Sequence, residues 1–212
     1  MLSRHLKFLA YIFVAIGFSV THAGSYVEFF RAVDRDDPMT VTDLLSRGFD
    51  PNAPSEQGQT PLYLALKGDS PKVFKVLMQH PSLKIDLANG AGETPLMIAA
   101  LRGEVEAMKL LLARGAQLNR SGWTPLHYAA SAPEPDAVAL LLERGAVVDA
   151  MAPNRNTALM MAAQYGTEDA AMLMLKRGAD PRLRNSRGQT AADLARIADR
   201  DKLAAKLEPP RR

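Results

Sequence analysis

Residues 94–119 read TPLMIAALRGEVEAMKLLLARGAQLN, and this stretch decides the fold. Thr94 can cap a helix with its hydroxyl, and Pro95 suits the first helical position, where a missing N–H costs nothing. Leu96, Ile98, Ala99 and Ala100 give that helix an apolar side. Gly103 turns the chain, and Val105, Met108, Leu110, Leu111 and Leu112 are expected to face a second helix inward. Gly115 ends it, as glycine does where the backbone turns left-handed. Two helices of about ten residues cannot bury this much apolar surface alone, so they require copies of themselves on either side.

The copies are present. TPLYLAL begins at Thr60, TPLHYAA at Thr124, TALMMAA at Thr157 and TAADLAR at Thr190, with threonine spacings of 34, 30, 33 and 33. A period of this length, with G-x-T-P-L-H-x-A-A followed by L-L-x-x-G-A-x-x-N/D, resembles the ankyrin repeat. The resemblance covers nearly all of the chain beyond its first two dozen residues. It implies an all-α solenoid of about six helix-turn-helix repeats joined by short hairpin loops. They are expected near 25–52, 53–83, 84–115, 116–145, 146–178 and 179–208.

The first repeat lacks the TPLH start and is charged, which suits a terminal cap. Val27, Phe30, Ala32 and Val33 are expected on its inward face, and Pro38 is expected to separate its two helices. The connection Gln79-His80-Pro81-Ser82 lacks Gly-Ala. There His80 reads as an exposed loop residue held extended by Pro81. The linker before Thr124 is about three residues short, so its hairpin finger should be clipped. Arg155 stands where glycine is usual in the next finger. The last helix, rich in Asp, Arg and Lys, reads as the C-terminal cap, stopped by Pro209-Pro210.

Residues 1–23 stand apart. Arg4 and Lys7 precede an uncharged, mostly apolar run of 13, Phe8 to Val20, and Thr21-His22-Ala23 ends in small residues at the positions a signal peptidase reads. That is the layout of a secretory signal. Thirteen residues make about 20 Å of helix, against about 30 Å of hydrocarbon core. Cleavage leaving a domain of residues 24–212 is therefore expected, with an uncleaved anchor facing the same compartment as the alternative. Removing Arg4 and Lys7 leaves 24 basic against 23 acidic residues, so the balance gives no reason to invoke nucleic acid. By resemblance, an exported ankyrin protein without cysteine looks like a bacterial periplasmic protein.

Chemistry has little to stand on. The absence of cysteine excludes disulfides, thiolate nucleophiles and Cys-based metal sites. There is no His-x-x-x-His pair, no G-x-S-x-G elbow and no G-x-x-x-x-G-K-[ST] loop. No catalytic residue, metal, cofactor or small-molecule substrate is expected. His127 falls on the last letter of TPLH, where Tyr63, Met97 and Met160 stand in sister repeats. The resemblance implies a structural hydrogen-bonding role for it, beside Thr60, Thr94, Thr124, Thr157 and Thr190. The third to fifth repeats are rich in methionine, most of it at inward helical positions.

The resemblance also implies that a partner protein docks on the hairpin tips and the exposed side of the first helices. Register then selects Lys67, Glu93, Leu101, Arg102, Trp123, Asn156, Gln164, Tyr165 and Gln189, with Ser131-Ala132 beside them. Trp123, the one tryptophan, should anchor a patch Arg102–Trp123–Tyr165, because Trp, Tyr and Arg dominate binding hot spots. The expected product is a monomer that binds another protein. By resemblance to exported bacterial ankyrin proteins it supports a periplasmic enzyme such as catalase. The alternative is an immunity protein that inhibits a toxin delivered to the periplasm.

Overall fold

The computed structural model describes residues 20–208, with side chains from Gly24 onward. The expected export signal lies outside the described residues except for its last four, and Pro209-Pro210 also lies outside them. Among the described residues there are twelve helices, no strands, and no helix long and apolar enough to cross a membrane. The helices pair as α1 (Val20–Asp34) with α2 (Pro38–Ser46), and α3 (Pro61–Lys67) with α4 (Pro71–Gln79). Then come α5 (Pro95–Leu101) with α6 (Val105–Ala113), and α7 (Pro125–Ala129) with α8 (Asp136–Glu143). The last are α9 (Ala158–Gln164) with α10 (Glu168–Lys176), and α11 (Ala191–Ile197) with α12 (Asp201–Leu207). They form two compact units, one ending at Leu83 and one beginning at Lys84.

In the first unit, Phe29, Ala32 and Val33 bury one face of α1, the i, i+3, i+4 pattern of a helix on a core. This corrects the expectation for Val27, which is 52% exposed, and shifts the anchor from Phe30 to Phe29. Phe29 stacks on Phe49 with ring centroids 4.1 Å apart, and half-buried Phe30 leans against Tyr26. Pro38 does not stand between the helices. It occupies the first turn of α2, with the Asp37 carboxylate accepting the N–H groups of Met39 and Thr40. Asp36, at φ +51°, reaches the next repeat, where its carboxylate accepts the N–H groups of Lys72 and Val73 at the start of α4. His80 is half-buried rather than exposed, and its Nδ1 accepts the N–H of Ser82.

In the second unit the helix pairs stack in register, each first helix against the first helix of the next repeat. The core is thin and made of small residues. Leu96, Ala99, Ala100, Ala129, Ala130, Leu159, Ala162 and Ala163 are all buried, as are Met97, Met108, Met160 and Met174. Leu110 is instead 45% exposed, because on α6 the buried phase runs through Met108 and Leu111 and turns Leu110 outward. Met151 and Met172 also reach the surface.

Layers are tied by the Asn or Asp that closes the repeat pattern. Asp86 accepts the N–H of Gln117, Asn119 that of Val147 and Asp149 that of Asp180, all at about 3 Å. Each of these side chains satisfies a backbone donor one repeat further on, which explains why an amide or carboxylate recurs there. Gly166 shows how closely layers approach. A Cβ there would lie 1.9 Å from the carbonyl oxygen of Ala130. Arg200 closes the unit by donating to the carbonyls of Ala162 and Ala163 at the end of α9.

Candidate docking surface

The site is built from the hairpin fingers and the starts of the first helices. Thr60, Thr94, Thr157 and Thr190 each accept, on the side-chain oxygen, the N–H of the residue three positions on. In the finger before each of these threonines a backbone bond closes the hairpin: Ser55 to Gln59, Asn89 to Glu93, Ala152 to Asn156 and Asn185 to Gln189. The finger before Thr124 is the short one. It turns at Gly122, φ +82°, and is held by Arg120 donating to the Gly92 carbonyl. Arg155 takes the left-handed conformation, φ +60°, that glycine holds at other tips.

His127 is buried and knits two repeats. The backbone N–H of Thr124 donates to Nδ1 at 3.2 Å, so Nε2 carries the proton and donates to the Asn156 carbonyl at 2.9 Å. The Thr124 hydroxyl lies 2.8 Å from the same Nδ1. Burial pushes His127 below its ordinary pKa, and the bond to Asn156 partly opposes this. Met97 and Met160 replace the ring in sister repeats, their sulfurs accepting the N–H of Thr94 and Thr157. In the last repeat Asp193 does the same for Thr190, and those bonds hold its carboxyl below the usual range. In these four repeats the side chain at this position accepts one N–H from the threonine three residues before it. Among the described residues, no three His, Asp or Glu side chains gather as a metal ion would need.

Two grooves lie beside these fingers. The first, about 250 Å³, is lined by Leu101, Trp123, His127, Tyr128, Ser131 and Met161. Trp123 is half-buried, edge-on to His127 with centroids 5.4 Å apart, and edge-on to Tyr128. The second, about 300 Å³, includes Asn156, Gln164, Tyr165, Asn185, Arg187 and Gln189. Here Asn185 donates to the side-chain oxygens of Asn156 and Gln189, while its own oxygen accepts the N–H groups of Arg187 and Gln189.

The structure therefore divides the expected residues. Trp123 and Leu101 meet in the first groove; Asn156, Gln164, Tyr165 and Gln189 meet in the second. Arg102 lines neither and pairs with Glu104. Glu93 accepts from Asn89 and from the Tyr128 hydroxyl, bracing the wall of the first groove. Lys67 belongs to the first unit, its ammonium 5.8 Å from the Tyr63 ring. Ser131 lines the first groove, but Ala132 is buried. Sequence reasoning missed Tyr128, Met161, Asn185 and Arg187. Tyr128 and Met161 share one register position, the residue after the fourth letter of TPLH, and that register was the available signal.

Profiles for ankyrin repeats match residues 29–121 and 81–152 (three copies) and 141–195 (many copies). These profiles describe an interaction repeat rather than an enzyme. The chain is 30% identical over 69% of its length to the ankyrin repeat and SAM domain-containing protein 6 of Rattus norvegicus. It is 35% identical over 41% of its length to the human transient receptor potential cation channel subfamily A member 1. The matched parts span only 13% and 8% of those relatives. Among solved structures, it resembles a chain of the complex between the predatory endopeptidase Bd0816 of Bdellovibrio bacteriovorus and its immunity protein Bd3460. The TM-score is 0.71 and the identity 28%, covering 84% of this chain and 97% of that one.

Proposed function

Because the chain belongs to the ankyrin-repeat family and carries protein-interaction repeats, we propose that it is a non-catalytic immunity protein that binds and blocks an endopeptidase in the periplasm. The observation that carries this is the match to a chain of the endopeptidase–immunity protein complex. That match extends over nearly the whole of the neighbour, whereas the curated relatives match only as small parts of far larger proteins. The N-terminal sequence supports the compartment, since a basic start, an apolar run and Thr21-His22-Ala23 suit export. The grooves beside Trp123 and Tyr165 would supply the contact.

The test is to purify residues 24–212 and add them to endopeptidases exported by the same cell, while following cleavage of peptidoglycan cross-links. Stoichiometric inhibition is the expected result. Support of an exported enzyme such as catalase would use the same grooves, and the matching assay on that enzyme would then show stabilisation or stimulation. No effect on any endopeptidase contradicts the immunity reading.

A further inference from the structure

We infer that the two grooves read one extended acidic segment of the bound protein. An apolar side chain would sit in the Trp123 groove, and about four residues away a carboxylate would meet Arg155 and Arg187. The inference rests on the protein-binding reading above, and it does not depend on which enzyme is bound.

Size and lining decide the first half. A space of about 250 Å³ falls below the usual range for a whole small-molecule ligand and suits a single large side chain. Leu101 and Met161 supply flexible apolar walls, while Trp123 and Tyr128 supply flat ones. Leu101 is 39% exposed.

Charge decides the second half. Arg120, Arg155 and Arg187 stand one on each of three consecutive fingers. Arg155 and Arg187 are exposed and in no ion pair among the described residues, and Arg120 is bonded only to a neutral carbonyl. The acids nearby are committed within the fold: Asp149 to the N–H of Asp180, Asp180 to Arg182, and Asp193 to Thr190. The unanswered charge beside the second groove is therefore positive.

Three of the groove's carboxamides hold one another in place, leaving Gln164, Tyr165 and Arg187 to meet a ligand. A carboxamide matches the donor and acceptor of a peptide bond, and a guanidinium matches a carboxylate. Helix layers lie about 8–10 Å apart. The grooves are separated by one to two layers, which an extended chain at about 3.3 Å per residue crosses in about four residues. A nucleic acid would call for a continuous basic track with several aromatic platforms, and one tryptophan beside an amide groove does not make one.

The test pans a phage library of random dodecapeptides on residues 24–212 and measures synthetic copies of the enriched peptides by fluorescence anisotropy. Enriched sequences should pair a large apolar residue with Asp or Glu three to five positions away. Arg155→Ser and Arg187→Ser should each weaken binding about tenfold. Trp123→Ala should abolish it, with helix content unchanged by circular dichroism, and Arg47→Ser in the first unit should change nothing. A library giving no acidic bias, no binder sensitive to these residues, or binders displaced equally well by a single-stranded oligonucleotide overturns the inference. Acidic peptide binding without inhibition of any endopeptidase sinks the immunity reading alone. Inhibition that survives Arg155→Ser, Arg187→Ser and Trp123→Ala sinks this one alone.

Discussion

The two grooves are made from equivalent positions of neighbouring repeats, yet one is apolar and the other polar. The residue before the helix-capping threonine is Trp123 in the first, and Asn156 and Gln189 in the second. The finger carrying Trp123 is shorter and turns at Gly122, while those carrying Asn156 and Gln189 each close with a backbone bond; the acceptor three positions on from the threonine and the Asn or Asp bridging layers recur in all three. What also differs is the side chain just before the threonine, which takes no part in the helix cap. A repeat stack can thus change the chemistry of its surface one layer at a time without changing its core.

The largest expected effect breaks both grooves together. Gly166 lies between them, next to Tyr165 of one and against the carbonyl of Ala130, the neighbour of Ser131 in the other. Gly166→Ala should cost about 3 kcal/mol in urea unfolding, because the added carbon meets main chain and not a movable side chain. Gly103→Ala is the control. Its surroundings are open, so only its φ of +69° is strained, and the loss should be about 1 kcal/mol.

Next, Trp123→Ala should raise the inhibition constant against the bound endopeptidase about thirtyfold, a loss of about 2 kcal/mol, while the urea midpoint moves little. Equal losses in binding and stability would mean the indole is a brace for His127 and not a contact.

His127→Met gives a smaller effect with a distinctive pH dependence. The folded state holds His127 below its unfolded pKa of about 6.5 and so disfavours the charged ring. Its stability contribution is complete above that pH and is lost as pH falls from there through the folded-state pKa. Met97 and Met160 show that a thioether can accept the same N–H. The variant should therefore lose about 1 kcal/mol at pH 7 and also lose the part of the acid slope due to this ring, as read from urea titrations at pH 7, 6 and 5. The smallest effect expected is at Arg102, whose pairing with Glu104 keeps it outside both grooves. Arg102→Ala should leave inhibition within about twofold of the parent.

Much of the fold was legible because its determinants are periodic. Thr94, Pro95 and Gly115 do in the structure what their positions imply, as a cap, a first-turn residue and a left-handed stop. Where period and phase part company the reading slipped. Val27 and Leu110 are apolar residues on the wet side of amphipathic helices, and apolar character alone does not fix the phase. The two grooves were half legible. Register found Trp123 and Tyr165 but joined them with Arg102 into one patch, since adjacency along the stack is visible in sequence and side-chain pairing is not. Asn185 was missed because its role is to hold Asn156 and Gln189, a contact between fingers nearly thirty residues apart.

The most direct test is amide hydrogen exchange of residues 24–212, alone and with an inhibited endopeptidase. Docking on the grooves predicts slowed exchange in residues 120–131, 154–165 and 185–197, with residues 38–79 unchanged. Protection confined to residues 38–79, with those three segments exchanging as in the free protein, would contradict it.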